Sequence, residues 1–530
     1  MGIFCFAISL KADQWGDWTY ASDGTNVTIT GYTGSEFDEA NYNIIVPDAI
    51  SSMPVVAIAD YAFQDYFGLT ITISAEVTSI GDYAFGNSTS LKTVSIPSNT
   101  THIGVGAFFL CSGLSSIVIP PSVKSIESNT FMDCHSLTNV VIPATVTNIG
   151  SGVFYHCYNL SNIILPPNLT SIRYQTFQNC ISLKEIIIPE GVTNIEWYAF
   201  MYCSQLENAV IPDSVSLIEE FAFFGCDSLT NIDIPASVSF LGTGVFAAES
   251  HLLSIAVNPS NLFYSSTNDM LFNKSQTVLI QCPSGKKTDL FIPANVMNVG
   301  DYAFGSCSGL TNMVIPDGIT NIGQYAFYSC ASLLNVGIPA SVTNIGDSGF
   351  AWCTSLTSMY FKGNAPFFGS SVFDWDDILT IYYYPWTTGW TNTFGGRPTQ
   401  INPAYTQWLL NNNFATNGIS STTNDFDNDG MLNWQEYLAG TNPTNDADKL
   451  AISSMGSGTN TALLTWLAKS NVSYQVMKSS DLQETWGNAP SGQGTNQQSY
   501  QVAPTDGLLQ YADPNYAGAT NGFYRVNVVQ

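Results

Sequence analysis

The stretch GDYAFGSCSGLTNMVIP at residues 300–316 nearly recurs as GQYAFYSCASLLNVGIP at residues 323–339. Both copies place a cysteine three residues after the phenylalanine and a leucine three residues after that cysteine. Each copy ends in a short apolar segment followed by proline. Self-similarity at a fixed period is the sequence signature of a stacked repeat protein. The motif therefore predicts a fold of stacked repeats.

The phenylalanine of the motif recurs along most of the chain and anchors one repeat unit at each occurrence. Successive anchors are 22 residues apart once, then 23 apart seven times, then 58 apart, then 23 apart twice. The twelve anchors are Phe63, Phe85, Phe108, Phe131, Phe154, Phe177, Phe200, Phe223, Phe246, Phe304, Phe327 and Phe350. This regularity predicts a solenoid of about twelve 23-residue units over residues 56–400, with an insertion at about 258–292.

Within a unit, the pattern L-x-x-L-x-L-P predicts a short β-strand. Leu183, Ile186, Ile188 and Pro189 show it: the last two apolar residues are two apart, so alternate residues point inward. The proline then ends the strand. One such unit cannot bury its apolar side, whereas stacked units can.

This pattern resembles the BspA-like class of leucine-rich repeats, which is found in bacterial surface proteins and in protozoan proteins. The shared features are I-P after the strand, V-T-x-I-G next, and Y-A-F-x-x-C-x-S-L around the anchor. The resemblance implies a β-rich leucine-rich repeat rod that binds proteins at the cell surface. It also implies an N-terminal β cap at residues 13–55 and an aromatic-rich C-terminal cap at about 362–400.

Nine of the eleven cysteines occupy one repeat position, three residues after the anchor. They are Cys111, Cys134, Cys157, Cys180, Cys203, Cys226, Cys307, Cys330 and Cys353. Free cysteine is among the most buried residue types, so the favoured interpretation is a row of small buried side chains. The alternative is metal or redox chemistry, but the chain has no C-x-x-C pair that would favour zinc. Disulfide pairing between neighbours stays open.

The sequence shows no catalytic constellation. The string GSCSG at 305–309 has the shape of a nucleophile elbow, but that chemistry needs a strand–turn–helix context and a nearby histidine. Cys307 is instead one of the repeated cysteines. No glycine-rich phosphate loop or dinucleotide fingerprint occurs. We therefore predict a protein without enzymatic activity, without catalytic residues and without an organic cofactor.

The composition argues against two classes of binding partner. The 530 residues carry 41 acidic and 14 basic side chains, a formal net charge of −27, and 45% of the residues are hydrophobic. Such a chain has ample material for a core, and it lacks the basic clusters that nucleic acid or an anionic membrane surface requires. The uncharged run from Ile103 to Val123 contains two consecutive prolines and follows the repeat, so we predict no transmembrane segment.

A second motif, DFDNDGMLNWQE at residues 425–436, has the pattern of an EF-hand calcium loop. Such a loop needs oxygen ligands at positions 1, 3, 5, 7, 9 and 12 and glycine at position 6, which is Gly430 here. The predicted Ca²⁺ ligands are Asp425, Asp427, Asp429, the carbonyl of Met431, Asn433 and Glu436. The alternative is a solvated Asp/Asn-rich turn, which would not require glutamate at position 12.

The segment around this loop, residues 401–450, differs from a paired regulatory EF-hand. The exiting helix is predicted from about Asn433 to Ala439, because Gly440 and Pro443 follow. The segment resembles single dockerin-like and thrombospondin type 3-like calcium loops, which implies a structural role. For an extracellular module, the expected Kd is on the order of 10⁻⁴ to 10⁻³ M. Residues 451–530 carry short β-like runs that predict a small β-sandwich-like domain.

The first twelve residues favour export. Residues 3–10, IFCFAISL, are apolar and are interpreted as the remnant of a secretory signal peptide; the alternative is a strand on the first repeat. Together with the calcium loop and the repeat class, this predicts a secreted or cell-surface protein. We expect no membrane anchor to be encoded before Gln530.

The repeat strands contain a candidate ligand-binding surface. In five consecutive units the outward residue near the strand end is apolar: Val118, Val141, Ile164, Ile187 and Val210. The outward residue two positions earlier is Ser116, Asn139, Asn162, Glu185 or Asn208. An exposed apolar stripe beside a polar row marks an interaction surface. The alternative is that β-branched residues occur here because they favour strands.

Three functions fit these patterns. The first is a secreted or cell-surface binding or adhesion protein whose repeats hold an extracellular protein or another surface ligand. The second is a carbohydrate-binding or scaffold module that serves polysaccharide-degrading enzymes, with a glycan as ligand. The third is an intracellular scaffold, which predicts reduced cysteines and an unprocessed N-terminus.

Overall fold

The anchor phenylalanines stack on one another inside a β-solenoid of about 15 turns in the computed structural model of the protein. From Phe63 to Phe246, neighbouring ring centroids are 5.1–5.8 Å apart. Phe327 stacks between Phe304 and Phe350 at 4.7 and 4.8 Å. All twelve anchors are buried. The predicted repeat solenoid is confirmed, and its core is the phenylalanine stack.

The structure describes residues 13–34, 42–286, 292–412, 414 and 424–448, together with the backbone of six strands between 452 and 529. The predicted signal-peptide remnant, residues 1–12, lies outside the described residues. The described chain falls into two compact units. The first comprises residues up to 335 with 342–357 and 367–378, and the second comprises the other residues.

Most turns contribute two short strands, one after the anchor and one before the next anchor; residues 162–164 take the first of these places in their turn without forming a strand. Strands of the first ladder follow the anchor: Asn43–Ile45, Thr70–Thr72, Thr93–Ser95, Ser116–Val118, Asn139–Val141, Glu185–Ile187, Asn208–Val210, Asn231–Ile234, Ser254–Val257, Asn312–Val314, Asn335–Ile338, Ser358–Phe361, Thr380–Tyr383 and Arg397–Ile401. Strands of the second ladder precede it: Met53–Ile58, Ser79–Ile80, His102–Ile103, Ser125–Ile126, Asn148–Ile149, Ser171–Ile172, Asn194–Ile195, Leu217–Ile218, Phe240–Leu241, Val278–Gln281, Asn298–Val299, Asn321–Ile322, Asn344–Ile345 and Phe367–Phe368.

Neighbouring strands of the regular units are parallel, and the paired residues are one repeat length apart. Ser116 pairs with Asn139, and Glu185 pairs with Asn208, each 23 residues on. Because the register never shifts between these units, each repeat position forms a row along the stack. The middle residue of each of these strands points into the core, as the period of two requires.

The anchor sits in a tight corner made by two left-handed residues. Around Phe200 these are Tyr198 and Tyr202, with φ of 58° and 59°. The N–H of Phe200 donates to the carbonyl of Ala222 in the next turn, at 2.8 Å. In that next turn Gly225 is left-handed as well, with a φ of 71°, and the Tyr202 ring lies where its Cβ would be. The corner thus joins neighbouring turns through the main chain.

The repeated cysteines tie neighbouring turns together from inside. In eight of them the Sγ donates to the carbonyl of the anchor phenylalanine one turn earlier, at 3.1–3.3 Å. Ser88 makes the same bond to Phe63 at 2.9 Å. The ten cysteines in the described part of the chain are buried free thiols. Burial raises the pKa of the Cys203 thiol far above its ordinary value, which suits a packing role.

The turns outnumber the twelve anchors because other residues replace the repeat motif. In the insertion, Cys282 takes the anchor place: its N–H donates to the carbonyl of Ala303, as the anchors do. The insertion itself is antiparallel, with strands Tyr264–Thr267, Met270–Asn273 and Val278–Gln281. A further turn is built on buried Phe373, inside the segment predicted as the C-terminal cap. Its backbone pairs with the preceding turn, where Phe350 N–H donates to Val372 at 3.0 Å.

Further strands precede the repeats in the chain, and strands and a helix follow them. Strands Asp13–Trp15, Trp18–Ser22 and Val27–Tyr32 are antiparallel, and the last pairs in parallel with Met53–Ile58; Ala49–Ile50 adds an antiparallel edge. In the second unit, Thr393–Phe394 pairs with Arg397–Ile401, and helix α1 spans Pro403–Asn411. The final strands form two three-stranded sheets, Ile452–Ser457 with Ala462–Ala468 and Gly507–Asp513, and Gln501–Val502 with Ser473–Ser479 and Phe523–Val529. The sandwich-like packing of these sheets stays a prediction.

Glu249 occupies the cysteine position of its turn and is fully buried. Neither carboxylate oxygen has a hydrogen-bond partner. Burial, and secondarily the charge of Asp227, raises the pKa of Glu249 well above 4.5. The folded state therefore holds a proton here that the unfolded state loses at neutral pH.

We expect Glu249→Gln to make the protein more stable than wild type at neutral pH. A raised folded-state pKa means that wild-type stability falls as pH rises above the ordinary glutamate pKa. The stabilising effect of the substitution should thus grow from pH 4 to pH 8, measured by urea unfolding. The exposed-residue variant Glu76→Gln serves as the control. An unchanged difference between Glu249→Gln and wild type over this range would contradict the burial of a neutral carboxyl.

Candidate functional site

The predicted calcium loop brings three carboxylates together. Ligand oxygens of Asp425, Asp427 and Asp429 lie within 4.8 Å of one another. The Asp429 N–H donates to Asp425 Oδ1 at 3.1 Å, and the Gly430 N–H donates to Asp425 Oδ2 at 2.9 Å. Gly430 has a φ of 96°, a conformation that a side chain would strain. The main chain therefore wraps around the first ligand position.

The remaining predicted ligands follow in order. Met431 N–H donates to Asp429 Oδ1 at 2.7 Å, which keeps the loop closed up to position 7. Asn433 begins helix α2, Asn433–Ala439, which ends at left-handed Gly440 as predicted. The side chains of Asn433 and Glu436 are buried. The structure thus places the six positions of the motif on one loop and the first turn of one helix.

Glu436 shows that this donor set fits a cation. Its side chain is fully buried, and neither carboxylate oxygen has a hydrogen-bond partner. Burial and the charges of Asp427, Asp429 and Asp425 raise the pKa of Glu436 to about 8. A hard divalent cation among these oxygens would offset both penalties, and an all-oxygen set with glutamate at position 12 is what Ca²⁺ prefers.

Helix α2 packs its aromatic side chains in a cluster within the second unit. The ring of Trp434 stacks on Trp386 at 5.4 Å, and Tyr437 lies edge-on to Tyr405 at 5.0 Å. Tyr384 stacks on Trp386 at 4.5 Å. The loop at 425–436 is thereby connected, through helix α2, to residues 384–405 of the same unit. No sequence motif predicted this cluster, although the density of aromatic residues from 382 to 408 was a signal.

The predicted apolar stripe lies on the outside of the first ladder. The exposed fractions of Val118, Val141, Ile164, Ile187 and Val210 are 62, 48, 79, 63 and 45%. Val118 pairs with Val141, and Ile187 pairs with Val210, so the side chains form a row. Residues 162–164 continue the path without regular strand pairing. We call these five side chains the apolar stripe.

The polar row runs beside the stripe. Ser116, Asn139, Asn162, Glu185 and Asn208 are all exposed. Asn208 Nδ2 donates to Glu185 Oε1 at 3.2 Å, which links two turns at the surface. The same stripe position recurs beyond the insertion at Val314, which is 78% exposed and which the sequence analysis did not include. Geometry thus gives an exposed stripe with a polar border, and its binding role stays a prediction.

Comparison with known proteins identifies the repeats. The family of the BspA type leucine rich repeat region matches in six copies over residues 56–184, 170–288 and 280–388. No curated protein matches the chain. Neither helix in the described part of the chain has the length and apolar character of a membrane-spanning helix.

Solved structures with the same kind of repeat are similar to this chain. A leucine-rich repeat protein from Bacteroides ovatus is 27% identical, with a TM-score of 0.50, and the match covers 70% of this chain and 94% of that one. A leucine rich cell surface protein from Faecalibacterium prausnitzii is 28% identical, with a TM-score of 0.48, covering 77% and 99%. With its repeat profile matched over most of residues 56–388, this chain belongs to the BspA-type leucine-rich repeat family.

Proposed function

We propose that the protein is exported and binds a partner protein at the apolar stripe of its repeats. The observation that carries this proposal is the exposure of five consecutive aliphatic side chains in one row. Soluble surfaces rarely keep such a row unless something covers it. The repeat family of surface proteins supports an interaction or adhesion role.

A photo-crosslinking amino acid at position 164 tests this function. The full chain carrying it is exposed to extracellular proteins from the producing cells and their surroundings, and the captured protein is identified and purified. We expect saturable binding of the purified partner to wild-type protein. The control carries the same group at position 367, where Phe367 is 84% exposed outside the stripe. Equal capture at both positions would contradict a specific site at the stripe.

We propose further that the loop at 425–436 binds one Ca²⁺ in a structural role. The predicted ligands all belong to one short segment, in which the three aspartates lie together, and the helix that carries Glu436 packs into the aromatic cluster. Binding would neutralise part of the four negative charges contributed by the three aspartates and Glu436. The segment from Pro403 to Asp448 would then be more stable with the ion than without it.

Calcium titration of the full chain checks this site. We expect one equivalent of Ca²⁺ with a Kd on the order of 10⁻⁴ to 10⁻³ M by calorimetry, accompanied by a change in tryptophan fluorescence. Glu436→Gln should weaken binding at least about tenfold, equal to about 1.4 kcal/mol, because it removes the ligand that binds through two oxygens. Asp446→Asn, at an exposed acid outside the loop, should bind as wild type does. Binding unchanged in Glu436→Gln would contradict the assignment.

A glycan ligand is the second candidate, and one observation favours it. Trp352 and Trp375 stack at 4.8 Å in neighbouring turns and are 41% and 60% exposed. Aromatic faces with a polar border suit the apolar faces of sugars. Under this alternative, a glycan array gives a signal that Trp375→Ala removes and that the stripe variant Ile164→Asp leaves intact. An unchanged array signal in Trp375→Ala would exclude these indoles.

A further inference from the structure

The apolar stripe has a charge gradient along its length. In the three units with Val118, Val141 and Ile164, the outward residues of this face are Ser, Thr and Asn, without any charge. The units that follow bring the exposed carboxylates of Glu185, Glu207 and Asp233, against the single cation Lys184. Asp233 stands where the earlier units have Val or Ile. One end of the stripe is thus neutral and the other end is acidic.

The spacing of the stripe selects the shape of its occupant. Val118 pairs with Val141, and Ile187 pairs with Val210, on parallel strands, so successive rows of the stripe are about 4.7–4.9 Å apart. An α-helix lying along the stripe presents one apolar residue per turn every 5.4 Å, within about 0.7 Å of that spacing. A β-strand presents residues of one face about 6.6–6.8 Å apart. Its side chains would therefore not coincide with the rows of the stripe over all five rows. A helix also forms the backbone hydrogen bonds within itself. An extended peptide would need partners for its N–H and C=O groups, which this row of apolar side chains cannot supply.

We propose that the stripe holds an amphipathic helix of a partner protein, with cationic side chains at the end that faces Glu185, Glu207 and Asp233. This proposal rests on the proposed function and specifies its partner. Five rows at the helical pitch correspond to about 15 residues of helix. The apolar seam of the helix covers the stripe, and its lysines or arginines lie over the acidic end.

Synthetic helical peptides test the proposal on the full chain. The probe is a fluorescent peptide of about 18 residues with a leucine seam and three lysines near one end. Two relatives carry either glutamates in place of the lysines or a central proline. At physiological salt we expect the lysine peptide to bind wild-type protein at least about tenfold more tightly than either relative. Failure of the lysine peptide to bind, or equal binding of the proline peptide, overturns the helix.

Charge-reversed proteins separate this inference from the proposed function. Glu185→Lys with Glu207→Lys and Asp233→Lys should weaken the lysine peptide at least about tenfold. Asp17→Lys with Glu76→Lys and Asp317→Lys changes net charge equally at exposed sites off the stripe. It should change the affinity less than about twofold, because charges beyond the Debye length of about 8 Å are screened. Equal effects of the two triple variants overturn the charge gradient.

Three further outcomes are distinct. If Ile164→Asp with Ile187→Asp leaves peptide binding unchanged, the stripe is not the binding face and the proposed function fails as well. If that variant removes peptide binding while the acidic-end variant matches its control, only the cationic partner is overturned. If wild-type protein forms a concentration-dependent dimer that the stripe variant abolishes, the occupant is a second copy of this chain, and the helix proposal is wrong.

Discussion

The double substitution Ile164→Asp with Ile187→Asp is expected to weaken partner binding at least about a hundredfold, with a native circular dichroism spectrum. Both side chains are more than half exposed, at 79% and 63%, so the folded chain tolerates a carboxylate there. In a complex the same carboxylates would be buried without partners, and each would cost more than the about 1–3 kcal/mol of an unpaired neutral polar group. The costs of the two carboxylates together correspond to a rise in Kd of at least about a hundredfold.

The matched control changes the same strand position in the two units that precede the stripe in the chain. Thr72→Asp with Ser95→Asp changes exposed residues at the equivalent strand position. It adds the same charge to the same ladder, and we expect the affinity to stay within about twofold of wild type. Partner affinity is measured by titration with the purified partner. Loss of folding in the Ile164 and Ile187 variant would show that these positions belong to the core, and unchanged affinity would remove the stripe from the binding surface.

Phe200→Ala is expected to lower the free energy of unfolding by about 3–5 kcal/mol. Its buried ring stacks on Phe177 at 5.3 Å and on Phe223 at 5.1 Å. Alanine leaves a cavity in the middle of the stack, and the corner backbone, which is hydrogen-bonded to both neighbouring turns, cannot collapse into it. Urea unfolding followed by far-ultraviolet circular dichroism measures the change.

Phe367→Ala is the control for this substitution. Phe367 is 84% exposed on the second ladder, and its truncation should change the free energy of unfolding by no more than about 0.5 kcal/mol. A loss below about 1 kcal/mol for Phe200→Ala would mean that the phenylalanine stack does not hold the solenoid together. A large loss for Phe367→Ala would place that ring in a packed environment that its exposure contradicts.

The repeat could be predicted because its period is carried by one conspicuous residue. The anchor phenylalanine, the cysteine three residues later and the alternating strand recur in unit after unit, so twelve turns were visible in the sequence. The further turns were hidden by substitution. Cys282 takes an anchor place within the insertion, and Phe373 lies in SSVFDWDDIL, which lacks the Y-A-F motif.

The outward stripe was also predictable, because a strand period of two assigns each residue to one face. The aromatic cluster of the second unit could not be predicted from the sequence. The aromatic cluster joins Tyr384, Trp386 and Tyr405 to Trp434 and Tyr437, which are up to 53 residues apart in the chain. Such contacts depend on how α1 and α2 pack, and no local pattern records that. The buried carboxylate of Glu249 lay at the cysteine position, where the repeat alone predicts a small apolar residue.

Hydroxyl-radical footprinting of the complex with the captured partner tests the binding face most directly. Aliphatic side chains are oxidised in proportion to their exposure, and the free protein should react at Val118, Val141, Ile164, Ile187 and Val210. If the stripe is the binding face, these five residues are protected at least about threefold in the complex. Val314, equally exposed beyond the insertion, should react as before. Unchanged oxidation of the five residues, with protection elsewhere in the chain, would show that the partner does not bind at the stripe.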